Sequence, residues 1–336
     1  MQEIQSIEPA PKFTTAHLFG AGFLVFAAGA AIVIGSFPLQ LSIISIFLFA
    51  GVHNFMEFRY FLARMPVRWG RSKTFYATGI GGVAVLTSAY LLIYFGAGNW
   101  LWSLTSFQLI VSLWNTSFIL WIALLFYLRG RQKPKADWSW AFPVGFLICA
   151  LAWLAPNYWS LSLVYLHPLI AMWFLERQMR RTQPEWLKAY RTVLVSIPFL
   201  VAGLYFAFAD APNLSTETNL FWRITQHAGS EILPGISSHF LVAAHVFLET
   251  IHYVVWIFLI PLVDFRAIPW KIKEIPLFSN RKGFPKFVLS GLIVSFLLVL
   301  TLWAAFSIDY TFARDLYFAF AMAHVLAEFP FLVKML

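Results

Sequence analysis

The sequence predicts an all-α integral membrane protein, a polytopic bundle of about ten transmembrane helices that forms a single domain over residues 1–336. Of its 336 residues, 60% are hydrophobic and only 12% are charged, about half the charged fraction of a soluble domain. Apolar stretches near the length needed to cross a bilayer recur along the chain. Basic residues gather between every second pair of these stretches, as they do in multi-pass proteins.

Ten apolar segments follow one another in the sequence. Their approximate bounds are 17–35, 37–58, 74–95, 104–128, 138–155, 157–178, 189–209, 237–263, 284–307 and 311–333. The fifth segment is short, so we expect it to be tilted or partly re-entrant. The residues before the first segment include acids and a single Lys, unlike the basic start of a signal peptide, and we therefore expect a retained first helix.

The basic residues predict the orientation of the bundle. If the ten segments alternate in direction, every Lys and Arg except Arg223 and Arg314 falls on one side. The positive-inside rule makes that side cytoplasmic and places both termini there. For a bacterial source, this describes a protein of the inner (plasma) membrane. The net charge of +9 lies in the loops, so we expect contact with anionic membrane lipid and no nucleic acid.

Histidines and carboxylates within the membrane concentrate on the even-numbered segments. Because such groups are costly in a bilayer, they tend to face the bundle interior and to mark a functional site. We predict eight of them as metal ligands, with Glu57 the weakest candidate. They are His53 and Glu57 on the second segment, His167 on the sixth, His245, Glu249 and His252 on the eighth, and His324 and Glu328 on the tenth.

Helical spacing supports convergence of these side chains. At about 1.5 Å of rise per residue, the four histidines nearest the basic boundary lie roughly 9 to 20 Å from it, so they can meet in one half of the bundle. Three His-Glu pairs are spaced i, i+4 and therefore share a helix face. The odd-numbered segments carry little beyond Ser, Thr and Tyr, which predicts an inner ring of polar helices within a lipid-facing set.

Imidazole and carboxylate ligands without thiolate suit iron, zinc or manganese, and open positions would favour non-heme iron. The lone cysteine, Cys149, is predicted to be a buried structural thiol. Bundles can hold two metal ions between inward Glu and His side chains, but this chain has one Glu-x-x-His element where ferritin-like proteins have two. Eight groups exceed one ion, so the centre is dinuclear or some carboxylates orient ligand histidines. Glu57 has the alternative of pairing with a basic residue near Arg59.

Five further features have simpler interpretations. His17, His227 and His239 lie at membrane boundaries and are expected to be interfacial. Asn115 on the fourth segment is expected to bond between helices. The connection over 210–235 contains TNLFWRITQHAG, an amphipathic stretch predicted to pack on the outer surface.

The favoured function is a membrane metalloenzyme, a non-heme iron oxidase or oxygenase. Its substrate would be a lipophilic small molecule (a carotenoid, isoprenoid, quinone or acyl lipid), and its partners would include membrane lipid and an electron donor. Two alternatives stay open: a b-type heme protein with His53 paired with His167 or His324, and a proton-coupled transporter that uses the buried His and Glu groups.

The site resembles in kind those of polytopic enzymes that bind iron through histidines, including bacterial membrane carotenoid-cleaving dioxygenases and fatty-acid desaturases. The clustered HxxHH boxes of desaturases are absent from the sequence. We therefore assign no family and carry no residue role across.

Overall fold

The computed structural model describes residues 15–96, 104–133 and 137–336, and every regular element in these ranges is helical. Two residues of the predicted basic boundary, Lys12 and Lys135, lie outside them. The helices are α1 Thr15–Ser36, α2 Pro38–Arg64, α3 Lys73–Gly96, α4 Leu104–Gly130, α5 Ala141–Leu154, α6 Pro156–Thr182, α7 Leu187–Phe208, α8 Asn219–His227, α9 Ser238–Val254, α10 Ile260–Val263, α11 Pro276–Ser279, α12 Pro285–Ile308 and α13 Tyr310–Met335.

Nine helical stretches of the described residues are long and apolar enough to cross a membrane. They correspond to all the predicted segments except the fifth. The helix in the fifth segment, α5, has only 14 residues, fewer than the roughly 17 to 25 of a spanning helix. The predicted all-α polytopic bundle is confirmed, with nine long helices and one short apolar helix.

The second helix extends further than the sequence predicts. We expected it to end before Arg59, because a charge in an apolar segment usually marks the membrane boundary. Instead α2 continues to Arg64. The Arg59 side chain is fully buried and its Nη2 donates to the carbonyl oxygens of Arg266 and Lys271, at 2.7 and 2.9 Å. Backbone acceptors from the connection after α10 thus allow the charge inside the bundle.

Four helices form an inner ring in which α2, α9, α6 and α13 each contact the next, and α13 closes the ring on α2. The remaining long helices pack outside: α1 and α7 against α9, α3 and α4 against α13, and α12 against α2 and α13. In the most apolar stretch of α9 and its continuation, 67% of the residues are buried, against 17% in α12. The inner ring therefore contains the predicted even-numbered segments, except that the fourth, with the buried Asn115, lies outside it.

Three helices of the ring are irregular close to their polar residues. Pro168 follows His167 inside α6, and Pro330 lies two residues after Glu328 inside α13. Between α9 and α10, residues Val255–Leu259 form a π-helical turn, and Pro261 follows it. Proline has no N–H to donate to the preceding turn, so it loosens the helix there. Single π-turns inside helices are frequent at functional sites.

The connection over 210–235 contains the short helix α8. The Thr218 side chain caps it by accepting from the N–H of Phe221. Its apolar side packs against α9 and α2, where Ile224 is buried. Arg223 pairs with Asp315 of α13 at 2.6 Å, which fastens α8 to the inner ring. The predicted amphipathic stretch is therefore a packed helical connection.

Candidate metal centre

Four histidines, one from each helix of the inner ring, meet inside the bundle. We call His53, His167, His252 and His324 the histidine cluster. Their ring centroids lie 5.2 Å apart for His53 and His252, 5.1 Å for His53 and His324, 4.7 Å for His167 and His252, and 5.2 Å for His167 and His324. The predicted convergence of these four side chains is thus present in the structure.

Two overlapping groups of side chains in the described residues have the geometry to hold a metal ion. One contains His53, His252 and His324, and the other contains His167, His252 and Glu328. Within each group, the atoms that would bind the ion all lie within 4.8 Å of one another. His252 belongs to both groups, which places it at the centre of the arrangement.

Contacts of the Nδ1 atom indicate which ring nitrogen faces the cluster in two histidines. Nδ1 of His53 lies 3.2 Å from the carbonyl oxygen of Phe49. A carbonyl oxygen can only accept, so Nδ1 carries the proton and Nε2 of the neutral ring keeps a lone pair. Nδ1 of His167 lies 3.2 Å from Oε2 of Glu328, although the geometry is not that of a hydrogen bond. Both histidines can therefore offer Nε2 to an ion.

The separation between His167 and His324 fits two ligands on one ion. Their Nε2 atoms lie 3.3 Å apart. Two nitrogens bound tetrahedrally at about 2.0 to 2.1 Å from one ion would be about 3.3 to 3.4 Å apart. The arrangement in which a carboxylate holds the second nitrogen of a ligand histidine is common around metals, and Glu328 stands in that position behind His167.

Several buried polar atoms around the cluster have no hydrogen-bond partner in the described part of the chain. They include both ring nitrogens of His252, Nδ1 of His324 and both carboxylate oxygens of Glu57. Leaving such groups unpaired in an apolar interior is costly. An ion between the imidazoles would satisfy one ring nitrogen of His252, so the residues fit a bound metal.

Glu57 lies deep in the bundle, with 1% of its surface exposed. The alternative that it pairs with a basic residue at the surface is therefore wrong, since Arg59 instead bonds to backbone carbonyls. The Glu57 carboxyl interacts electrostatically with that of Glu328. It belongs to neither group of ligand atoms, and it accompanies Glu328 behind the cluster.

His245 and Glu249 lie apart from the two groups of ligand atoms. His245 instead contacts His227 of α8, with ring centroids 5.1 Å apart. Glu249 Oε1 accepts a 2.6 Å hydrogen bond from the Tyr253 hydroxyl, and the Tyr253 ring lies 4.5 Å from that of His53. We call His227, His245, Glu249 and Tyr253 the polar row. It runs from α8 along α9 to the histidine cluster.

Arg314 is the cation of the polar row. It is 4% exposed on α13 and interacts electrostatically with His227, His245 and Glu249. From its charge, Arg314 was expected, with Arg223, on the side of the membrane opposite the other basic residues. Tyr253 was also missed, although its i, i+4 spacing from Glu249 and its position next to His252 were available signals.

The remaining histidines take separate positions. His17 is exposed at the start of α1. His239 stacks on Phe208 at 4.6 Å, and its Nε2 lies 2.7 Å from the carbonyl oxygen of Gly35. His227 also packs against Phe318, and burial, with smaller contributions from His245 and Arg314, lowers its pKa well below the usual value. All three lie at or outside the ends of the long helices, and His227 and His239 contact side chains of neighbouring helices.

Comparison with protein-family models, curated proteins and solved structures found no match to the chain.

Proposed function

We propose that the protein is an integral membrane metalloenzyme in which the histidine cluster holds a non-heme iron ion and the substrate is lipophilic. One observation carries the proposal: four imidazoles from four different helices face one another inside an apolar bundle. Their unpartnered nitrogens are hard to explain as a structural network. Buried polar networks normally satisfy their members.

The spacing of the imidazoles favours a small ion over a heme. The axial histidines of a heme lie on opposite faces of the porphyrin plane, so the wide, flat macrocycle must fit between their two rings. The rings of the histidine cluster pack against one another at 4.7 to 5.2 Å. A single ion needs no more space than these rings leave between their nitrogens.

The donor set favours iron among the small ions. Imidazole ligands without thiolate suit iron, zinc and manganese, and a site with open positions is typical of non-heme iron oxygenases. Such an ion would supply the chemistry that lets dioxygen react with an unactivated organic substrate. The three side chains of either group would leave open coordination positions on a six-coordinate ion. The electron donor of an oxidase would be a further partner.

The residues around the ion would orient its ligands and exclude water. Glu328 faces Nδ1 of His167, and the Phe49 carbonyl accepts from Nδ1 of His53. These contacts keep the two Nε2 atoms directed at the ion. On the basic side of the cluster, Phe61 lies 5.9 Å from Trp256 and 4.3 Å from Phe331, ring to ring. This buried aromatic packing would exclude water from the basic side of the cluster.

Metal analysis tests the proposal directly. The full-length protein would be purified in detergent, reconstituted anaerobically with Fe²⁺, Mn²⁺ or Zn²⁺, and analysed by plasma mass spectrometry. We expect about one tightly held iron per chain, because the two groups of ligand atoms overlap at His252. The His324→Ala variant should lose it. The matched control is His17→Ala, which removes an exposed imidazole on α1.

Folded protein that binds none of the three ions would exclude the metal centre. Equal metal content in His324→Ala and the native protein would assign the ion to another site. If zinc alone is retained, the centre is metallic but the oxidative function is wrong. Elution as a single species in size-exclusion chromatography would show that each variant is folded.

The polar row favours a second candidate function, proton-coupled transport. Chains of intramembrane His and Glu groups form proton relays in pumps and transporters. Here His245, Glu249 and Tyr253 lead from α8 toward His53. Proton uptake into proteoliposomes that is abolished by Glu249→Gln, in protein free of bound metal, would favour transport over oxidation.

A further inference from the structure

A cavity of about 380 Å³ opens at the basic end of the bundle, beside the connection that follows α2. Its lining includes four cationic side chains and no carboxylate among the described residues. The cations are Arg64 of α2, Arg68 of the following connection, Arg181 of α6 and Lys334 of α13. Trp69 and Phe331 supply apolar walls. We call this space the basic cavity.

Only one of the four cations is neutralised by an acid. Arg64 pairs with the buried carboxylate of Asp264 and also bonds to Gln178. Lys334 donates to two neutral oxygens, Oγ of Ser72 at 2.9 Å and Oε1 of Gln132 at 3.1 Å. Arg68 and Arg181 are exposed, and neither makes an ion pair or a side-chain hydrogen bond within the described ranges. The basic cavity therefore holds an excess of positive charge.

The excess of positive charge makes the basic cavity a candidate anion-binding site. Guanidinium groups bind phosphate oxygens in pairs of parallel hydrogen bonds, and a lysine ammonium adds a point charge. Basic pockets between membrane helices at the cytoplasmic side bind the head groups of anionic lipids. The volume of the basic cavity falls in the range of small-ligand sites.

The basic cavity is separate from the histidine cluster. Phe331 lines the cavity and stacks on Phe61 at 4.3 Å with the ring planes 5° apart. Phe61 comes one turn after Glu57, and Phe331 comes three residues after Glu328. The stacked pair therefore lies between the cations and the buried carboxylates. An anion in the cavity therefore does not contact Glu57 or Glu328.

We propose that the basic cavity binds a phosphate group, carried by the head group of an amphipathic lipid. Arg68 and Arg181 hold its oxygens, Lys334 adds charge, and Trp69 packs against the adjoining part of the molecule. This site does not depend on the proposed metal centre, since the two share no side chain. A free phosphate compound has the same chemistry, so the test must distinguish it from a lipid.

Native mass spectrometry of the full-length, delipidated protein measures the binding. The probes are phosphatidic acid, which carries a phosphomonoester, and phosphatidylcholine with the same acyl chains, which carries no net charge. We expect phosphatidic acid to bind at least about tenfold more tightly, and Arg68→Gln/Arg181→Gln to reduce its affinity by about tenfold. The matched control, Arg281→Gln/Lys282→Gln, removes two exposed cations outside the cavity and should change affinity less than about twofold.

Competition identifies the source of the phosphate. Failure of millimolar inorganic phosphate to displace phosphatidic acid assigns the site to a lipid, whereas complete displacement assigns it to a soluble phosphate compound. Equal loss of affinity in both double variants, or equal binding of the two lipids, would overturn the proposal. If the double variant does not fold, Arg68→Gln alone serves. Unchanged metal content in the same samples keeps this result apart from the metal-centre test.

Discussion

The histidine cluster and the polar row contain similar residues in the same inner ring, yet their hydrogen bonding differs. In the polar row, Glu249 accepts from Tyr253 at 2.6 Å through Oε1, and although its Oε2 has no hydrogen-bond partner in the described residues, Arg314 provides a buried cation nearby. In the histidine cluster, His252 has no hydrogen-bond partner at either ring nitrogen within the described residues. A polar group that already has partners needs no ligand, whereas an unpaired one in an apolar interior does. This difference separates the proposed metal site from its surroundings.

Substitution of two histidines on α9 is the strongest test of the difference between the histidine cluster and the polar row. His252 lies in the cluster and His245 lies in the polar row, two turns away on the same helix. We expect His252→Ala to abolish metal binding, because His252 belongs to both groups of ligand atoms. His245→Ala should retain the full metal content. Plasma mass spectrometry of the two purified variants makes the comparison, and loss of metal from both would extend the centre into the polar row.

Two of the three buried glutamates of the ring, Glu328 and Glu249, provide the next contrast. Glu328 faces His167 and should hold it in the orientation that an ion requires. We expect Glu328→Gln to weaken iron binding about 10- to 100-fold, the usual effect of removing a group behind a ligand. Glu249→Gln is the control, since Glu249 serves Tyr253. Competition with a chelator of known affinity measures both, and equal affinities would contradict the role of Glu328.

Much of this arrangement was predictable from the sequence, because its cause is local. The i, i+4 spacing of His324 and Glu328 fixes their common helix face, and the cost of polar groups in lipid places them inside the bundle. Apolar length likewise predicted the helices. The short α5 was recognised as unusual for the same reason.

The errors have a common physical origin in contacts between distant parts of the chain. Arg59 was expected at the basic membrane boundary and Arg314 on the opposite side of the membrane, since a charge alone indicates an aqueous setting. Both are buried, and Arg59 donates hydrogen bonds to carbonyl oxygens of the connection after α10. The separation of His245 from His252 also could not be predicted, because helix spacing does not reveal which neighbour, α8 or α2, each histidine meets.

Substitution of Arg314 tests how much the polar row contributes to the stability of the fold. It lies 3.9 Å from Asp315 and above the Phe318 ring. Arg314→Leu should lower the free energy of unfolding by about 2 kcal/mol, because it leaves nearby buried polar groups without their cation. Arg223 is the other partner of Asp315, and the Arg223 side chain is 36% exposed. Arg223→Gln should therefore lower the free energy of unfolding by less than about 1 kcal/mol. Thermal unfolding in detergent compares them, and a larger effect of Arg223→Gln would contradict this ranking.

Tyr253 contacts both regions, and its substitution by Phe has the smallest expected effect. Its hydroxyl donates to Glu249 in the polar row, while its ring packs against His53 in the histidine cluster. Tyr253→Phe removes the hydrogen bond and keeps the ring, so we expect a loss of about 1 kcal/mol in stability and an unchanged metal content. Tyr253→Ala also removes the ring beside His53 and should weaken metal binding. If Tyr253→Phe alone releases the metal, the hydroxyl supports the cluster and the two regions form one site.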